Sequence, residues 1–222
     1  MADKIQKTGL VTEGFYILNY GFVASYVLDA KECLVAFDSG VGPGQITREM
    51  RRLSLDPGRV ISVFFTHSDH DHVGGAAAFP KARAYVSREE ATMLDSRSPR
   101  FLGLIRNKPL PFAYEKLADG QELRVGNATI RCIATPGHTS GSMSFVVNDS
   151  ILVVGDELNL RKGEAVLDRK FICLDNAERE RSLRKIAQLK GVDYLCTAHS
   201  GYTANFKAAT AAWRGQKEVV TA

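Results

Sequence analysis

The feature that most constrains this chain is a loop rich in histidine and aspartate that follows a predicted buried strand. The run at 60–65 is apolar and rich in β-branched and aromatic residues, as is typical of strands covered on both faces. The sequence Thr-His-Ser-Asp-His-Asp-His-Val-Gly-Gly follows directly at 66–75. Loops at strand ends often carry binding and catalytic side chains. The sequence therefore predicts a polar functional site at the end of this strand.

Length and composition favour a single globular domain over residues 1–222. Hydrophobic residues make up 45% of the chain and charged residues 24%, which is average for globular proteins. A chain of 222 residues is long enough to bury a substantial core. The net charge of +4 is spread along the sequence, so we expect no nucleic-acid partner. We expect the partner to be a small-molecule substrate.

Cysteine usage and hydropathy predict a cytoplasmic protein. The four cysteines stand far apart without a Cys-x-x-Cys pair, and we expect them to be reduced. The N-terminus lacks the apolar segment of a signal peptide, and no run approaches the ~20 apolar residues of a membrane helix. We therefore expect no membrane partner, whereas the formation of a homodimer stays open.

Hydrophobic patterning predicts strands followed by helices, in an arrangement that occurs twice. Strands are expected at 22–28, 33–37, 60–65, 82–86, 121–125, 129–134, 142–147, 151–154 and 194–197. Helices are expected at 45–53, at 87–94 behind a capping box of Ser87 and Glu90, at 177–189, and from about 204 onward. This order indicates an α/β layered fold of two packed sheets with helices outside. The irregular stretch 97–118 is interpreted as a lid or pocket wall, or equally as the cover of a sheet edge.

All five histidines lie at or near predicted strand ends, beside glycine, serine or aspartate. Side chains at such positions can converge on one edge of a sheet. The loop at 66–75 combines imidazole nitrogens with carboxylate oxygens, in His67, Asp69, Asp71 and His72. This mixture of ligands suits zinc, iron or manganese rather than copper(I) or an iron–sulfur cluster. The pattern therefore predicts a metal site.

The loop resembles the His-x-His-x-Asp-His motif of the metallo-β-lactamase fold superfamily. Its register is fixed by the segment Asp-His-x-Gly-Gly at 71–75. The other segments that match the family, in order, are Asp38-Ser39-Gly40, Pro136-Gly137-His138-Thr139-Ser140-Gly141-Ser142, Gly155-Asp156 and Ala198-His199-Ser200-Gly201. The resemblance spans nearly the whole chain, and small members similar to hydroxyacylglutathione hydrolase are the branch it resembles most.

This resemblance implies an αββα sandwich with a two-metal site at one edge, between the sheets. The implied ligands are His67, Asp69 and His138 for one metal and Asp71, His72 and His199 for the other, with Asp156 bridging them. The implied cofactors are two divalent metal ions, zinc or iron, with manganese as a third choice. Such a pair activates water as hydroxide for attack on an electrophilic centre. Asp71 is implied to orient that water, while Asp38 and Thr66 support the ligands.

Some of these residues admit a second interpretation. Aspartate at 69 replaces the usual histidine of the family, and the alternative to a metal ligand is a loop carboxylate that points away. His70 occupies the variable position of the motif and is expected at the pocket rim. Cys196, three residues before His199, is expected in the apolar core. Tyr202 is a candidate catalytic residue because its hydroxyl could donate to a developing oxyanion, although packing explains it equally well.

The motifs indicate a reaction class without choosing a substrate. We expect a metal-dependent hydrolase that acts on a small ester, thioester, lactone or phosphoester. One alternative is a diiron redox protein similar to flavodiiron proteins but without their flavodoxin domain, which an acidic residue at 69 favours. Another is a non-catalytic module in which a metal with closed coordination serves structure or ligand sensing.

Overall fold

Two β-sheets form the centre of the molecule in the computed structural model, which describes residues 1–95, 97, 99, 110, 113–168 and 170–215. The strands of the first sheet are β1 (Gly9–Thr12), β2 (Phe15–Asn19), β3 (Ala24–Asp29), β4 (Leu34–Phe37), β5 (Val60–Phe64), β6 (Arg83–Ser87) and β7 (Tyr114–Leu117). They lie side by side in chain order. Neighbours are antiparallel from β1 to β4 and parallel from β4 to β7.

The second sheet is built from the later part of the chain. The remaining strands are β8 (Glu122–Val125), β9 (Ala128–Ala134), β10 (Met143–Val147), β11 (Ile151–Val153), β12 (Asn159–Arg161), β13 (Glu164–Val166), β14 (Tyr194–Thr197) and β15 (Gly201–Thr203). The sheet order is β15-β14-β11-β10-β9-β8, and β12 pairs with β13 as a separate hairpin. A tight turn joins β10 to β11, in which Asn148 and Asp149 both have positive φ angles.

The helices of the described residues lie around the two sheets, and the two longest pack on the outer faces. The helices are α1 (Pro43–Arg52), α2 (His70–Val73), α3 (Ala91–Leu94), α4 (Asn176–Ala187) and α5 (Phe206–Ala209), with single 3-10 turns at Pro57–Arg59, Ala76–Ala78, Lys170–Ile172 and Ala211–Trp213. Met50 of α1 is buried against the first sheet, and Leu183 of α4 is buried against the second. Between the sheets, the rings of Phe37 and Phe145 lie 5.9 Å apart. These layers confirm the predicted αββα sandwich.

The helix predicted at 87–94 is shorter, because its capping box forms only in part. The backbone N–H of Glu90 donates to the Ser87 hydroxyl at 3.0 Å, as a capping residue requires. The Glu90 carboxylate does not return to the helix start but bonds to Ser68 and Thr139. The helix therefore begins only at Ala91.

Other differences concern segments whose patterns are short. Strands β1, β2, β12, β13 and β15 were not predicted, because runs of three to five residues give little alternation. The terminal helix is a single turn, α5, followed by a 3-10 turn whose Trp213 indole is held by the carbonyl of Ala165. The predicted lid at 97–118 lies mostly outside the described residues. Within it, Tyr114–Leu117 forms strand β7 at the sheet edge rather than irregular structure.

Candidate metal centre

The predicted ligands follow strands that point in the same direction. β4 and β5 are parallel, so Asp38 and His67, which follow them, lie at one edge of the first sheet. In the second sheet β11 is parallel to β14, and both β9 and β11 are antiparallel to β10. β9, β11 and β14 therefore share a direction, and His138, Asp156 and His199 follow their C-terminal ends. The topology brings these residues to one edge between the sheets.

Asp69 points into this cluster. Its Oδ2 atom lies 3.3 Å from Nε2 of His138 and 3.6 Å from Nε2 of His67. Both histidines are buried, whereas the Asp69 side chain keeps a quarter of its surface exposed. The three ligand atoms lie within 4.8 Å of one another. We call His67, Asp69 and His138 the first ligand group.

A second ligand group consists of Asp71, His72 and His199. Asp71 and His72 lie on the one-turn helix α2, which forms within the loop at 66–75. Oδ2 of Asp71 lies 3.5 Å from Nε2 of His199 and 3.9 Å from Nε2 of His72. These three ligand atoms also lie within 4.8 Å of one another.

Asp156 joins the two groups. Its Oδ1 atom lies 3.2 Å from Nε2 of His72, and its Oδ2 atom lies 3.1 Å from Nε2 of His199. Oδ2 also lies 3.6 Å from Nε2 of His138, a member of the first group. The structure thus brings together all seven residues predicted as ligands. Asp156 occupies the position expected of a shared ligand.

Each of the four clustered histidines has its Nδ1 atom engaged, which leaves Nε2 facing the centre. The Nδ1 partners are the Thr66 hydroxyl for His67 at 3.0 Å, the Asp38 carboxylate for His72 at 2.8 Å, the Cys173 thiol for His138 at 3.5 Å and the Phe22 carbonyl for His199 at 2.6 Å. Partners of this kind fix the ring orientation and the tautomer of a metal-binding histidine. Asp38 and Thr66 therefore hold the supporting positions predicted for them.

The parallel pairing of β4 with β5 places Thr66 beside Asp38. The Thr66 hydroxyl and backbone N–H each donate to the Asp38 carboxylate at 2.8 Å. Behind the hydroxyl lies Gly155, whose φ is +58° and where a Cβ atom would lie only 2.3 Å from Oγ1 of Thr66. Glycine before Asp156 is thus required both by the backbone conformation and by the close approach of Thr66.

Three buried polar atoms in the cluster have no hydrogen-bond partner among the described residues: Nε2 of His67, Nε2 of His72 and Oδ1 of Asp156. The last two approach each other without the alignment of a hydrogen bond. Each unpaired buried polar group lowers the free energy of unfolding by about 1–3 kcal/mol, so three such atoms together are strongly destabilising unless something binds them. Coordination to a cation would satisfy all three, and their imidazole and carboxylate donors suit zinc, iron or manganese.

The charges of the cluster are strongly coupled. Burial by itself lowers the pKa of His72, but the carboxylates of Asp38 and Asp156 outweigh it and hold the pKa well above its usual range. Burial opposes ionisation of Asp156 too, yet His199 and His72 keep the pKa of that carboxyl well below normal. Burial lowers the pKa of His138 to about 4, and Asp69 offsets this only in part. His138 is therefore neutral at pH 7 and available as a ligand.

The remaining candidates lie outside the cluster of ligand atoms. His70 is exposed and belongs to none of the ligand groups found among the described residues, and its place at the pocket rim stays a prediction. Cys196 is buried in the core between the sheets, as expected. Tyr202 lies opposite Cys196 on β15 and packs against that same core. Its catalytic role stays a prediction.

The sequence did not indicate three residues that support the site. Phe22 and Cys173 hold ligand histidines, but no local pattern marks their contacts, which span 177 and 35 positions of the chain. Glu90 was interpreted only as a helix cap. Nothing in the sequence distinguishes Glu90, which is buried, from its exposed neighbour Glu89.

Comparison with known proteins identifies the family. A model of the metallo-beta-lactamase superfamily matches residues 18–199. The chain belongs to this superfamily. A probable metallo-hydrolase of Bacillus subtilis (strain 168) is 28% identical over 151 residues, which cover 63% of this chain and 67% of that protein. A probable polyketide biosynthesis zinc-dependent hydrolase of Bacillus velezensis is 28% identical over 130 residues, 57% of this chain and 50% of that one. These names agree with the prediction of a metal-dependent hydrolase of this superfamily.

Solved structures confirm the fold. A B3 metallo-beta-lactamase described as having an active-site glutamic acid superposes with a TM-score of 0.74 at 23% sequence identity. The match covers 95% of this chain and 88% of that enzyme. Among the described residues, no helix has the length and apolar character needed to span a membrane.

Proposed function

We propose that this chain hydrolyses a small ester, thioester or lactone at a two-metal site, with phosphoesters as the further class that the same chemistry would serve. The observation that carries the proposal is the pair of ligand groups joined by Asp156, with unpaired inner atoms on His67, His72 and Asp156. Two metal ions held in this way lower the pKa of water toward neutrality and polarise a carbonyl or phosphoryl oxygen. The first group would hold one ion and the second group the other.

Asp71 and Asp69 are the partly exposed carboxylates of the cluster, and the role in proton transfer is proposed for Asp71. About a quarter of the Asp71 side chain is exposed, whereas Asp156 is nearly buried. Asp71 can therefore reach a water in the open part of the cluster while Oδ2 stays 3.5 Å from His199. We assign it the role of orienting the attacking water and accepting its proton.

Exposed apolar side chains beside the site favour a substrate with an apolar group. Phe22 is 59% exposed, and its ring stacks on that of His199 at 6.3 Å. Leu174 lies next to His138, because its backbone N–H donates to the His138 carbonyl. The Leu174 residue is 44% exposed. Phe171, three residues earlier, is 81% exposed. Apolar surface flanking a polar centre suits an ester or thioester whose acyl group packs on these side chains.

The test is a panel of p-nitrophenyl esters, acyl thioesters, lactones and phosphodiesters, assayed with zinc, iron or manganese. We expect turnover in at least one class, and a loss of about 1,000-fold or more in His72→Ala, because that ring belongs to the second group and contacts Asp156. His70→Ala is the matched control, since His70 lies in the same loop but is exposed. It should stay within about threefold of the parent. An absence of turnover across the panel with every metal would refute the proposal.

One observation favours a second candidate, a diiron redox protein. Asp69 places a carboxylate oxygen in the first group, and oxygen ligands shift metal preference toward iron or manganese. Protein purified anaerobically should then contain iron and react with oxygen or nitric oxide when reduced. Elemental analysis that finds only zinc would exclude this candidate and leave the hydrolase in place. A cytoplasmic location and a homodimer stay predictions.

A further inference from the structure

Glu90 is a fully buried carboxylate that lies outside both ligand groups. It directly precedes helix α3, on the segment that follows β6. Within the part of the chain that the structure describes, it forms no ion pair with lysine or arginine. Its two carboxylate oxygens instead accept hydrogen bonds from donors in two loops. Both loops carry ligand residues.

One carboxylate oxygen binds the loop of the first sheet. Oε1 of Glu90 accepts a hydrogen bond from the backbone N–H of Ser68 at 2.8 Å and another from the Ser68 hydroxyl. Ser68 stands between His67 and Asp69, two members of the first ligand group. Because the backbone itself is held, the spacing of these two ligands depends on Glu90.

The other oxygen binds the loop of the second sheet. Oε2 of Glu90 accepts from the Thr139 hydroxyl at 2.6 Å. Thr139 directly follows His138, the third member of the first group, and its hydroxyl also lies 2.8 Å from that of Ser142. The carboxylate thus spans the gap between the loops of the two sheets.

Glu90 has little freedom to shift. Its backbone N–H donates to the Ser87 hydroxyl, which donates to the carbonyl of Gly141 at 2.6 Å. A Cβ atom at position 141 would lie 2.1 Å from the backbone nitrogen of Glu90, so only glycine permits this approach. The second ligand group is anchored elsewhere: Ser39 holds the carbonyl of His72.

We infer that Glu90 is a positioning residue that sets the distance between His138 and the His67–Asp69 pair, and thereby the affinity of the first metal position. The inference rests on the metal centre of the proposed function but does not depend on hydrolysis. Supporting residues of this kind typically contribute 10- to 100-fold to metal affinity. The second metal position, with its separate anchors, should not depend on Glu90.

The test measures zinc binding to metal-free protein by competition with a chromophoric chelator, which resolves two dissociation constants. In Glu90→Ala we expect one constant to rise about 10- to 100-fold and the other to stay within about threefold. The zinc-binding step that is weakened in Glu90→Ala must be the step that His138→Ala abolishes and that His199→Ala leaves in place. Glu89→Ala, an exposed neighbour, is the matched control and should change neither constant.

Two further variants separate positioning from general stability. Thr139→Val keeps the shape of the side chain but removes the donor to Oε2, so it should weaken the same step by a smaller factor. Glu90→Gln should restore part of the affinity lost in Glu90→Ala, because its amide oxygen still accepts from Ser68 and its amide nitrogen can donate to Thr139. If Glu90→Ala does not fold, Thr139→Val carries the test.

The outcomes are distinct. Unchanged constants in Glu90→Ala and Thr139→Val, or an equal loss at both steps, would overturn the positioning role while leaving the metal centre intact. A parent protein that binds no zinc, iron or manganese would overturn the metal centre itself, and the proposed function with it.

Discussion

Replacing Asp38 by asparagine tests whether the supporting residues control the metal ligands. The Asp38 carboxylate accepts hydrogen bonds from the Thr66 N–H, the Thr66 hydroxyl and Nδ1 of His72, each at 2.8 Å. Asparagine has nearly the same shape, but one of its two terminal atoms is a donor. Its oxygen must face the Thr66 N–H, which can only donate. The amide nitrogen then faces Nδ1 of His72 and donates to it.

This exchange reverses the tautomer of His72. With Nδ1 accepting, the ring proton moves to Nε2, the atom that faces the metal centre, and Nε2 can no longer act as a ligand. A hydrogen bond to a charged group contributes about 1.5–3 kcal/mol, which corresponds to about 10- to 140-fold in affinity at 1.4 kcal/mol per decade. This range overlaps the 10- to 100-fold effect typical of residues that support metal ligands. We therefore expect zinc to bind Asp38→Asn about 10- to 100-fold more weakly.

The assay is the same zinc competition, with nitrogen-15 NMR of the histidine rings in the metal-free protein as a second readout. Recorded at a pH above the pKa of His72, where the ring is neutral, the spectra should show His72 protonated at Nε2 rather than Nδ1. The pKa of His72 should also fall, because Asp38 is the strongest of the charges that raise it. Asp149→Asn, in an exposed turn where φ is +58°, is the matched control. An affinity within about twofold of the parent in a folded Asp38→Asn protein would refute the reasoning.

Three further predictions concern stability and reactivity. Gly155→Ala should lower the free energy of unfolding by about 2 kcal/mol or more in urea titrations, because a side chain at φ +58° is strained and its Cβ meets Thr66. Tyr26→Phe should cost about 1–2 kcal/mol by the same measurement, because the carbonyl of Thr197 loses its buried hydroxyl donor at 2.8 Å. Iodoacetamide should label Cys173 far faster than the other three cysteines, which are buried, as mass spectrometry of native protein at pH 7.5 will show. Uniform labelling of all four would contradict that burial.

The sequence predicted most of the site because its ligands belong to short motifs with fixed spacing. His67, Asp69, Asp71 and His72 lie within one loop, and the run at 60–65 marked the strand that precedes it. The ligand from each later loop follows a strand that apolar residues marked: β9 alternates before His138, and β11 and β14 are short apolar runs before Asp156 and His199. Hydrophobic patterning is a local signal that located the strands, and the resemblance to the family motifs indicated which residues after them are ligands.

The supporting contacts could not be predicted in the same way. The carbonyl of Phe22 holds His199 across 177 positions, and a backbone acceptor has no residue preference that a sequence could display. Glu90 matched a local rule, the capping box, and its carboxylate then followed a tertiary contact instead. A capping interaction at a helix start stabilises a helix by about 1 kcal/mol, so the buried hydrogen bonds from Ser68 and Thr139 to the Glu90 carboxylate can outweigh it.

The origin of the ligands in two sheets has a consequence for folding. One sheet contributes His67, Asp69, Asp71 and His72, and the other contributes His138, Asp156 and His199. Ions held by both sides cannot bind fully until the sheets have docked, so their binding energy is added to the docking step. At a free metal concentration 100 times the dissociation constant, one such ion contributes about 2.7 kcal/mol. Metal supply would then govern how long the folded chain survives proteolysis, quite apart from any turnover.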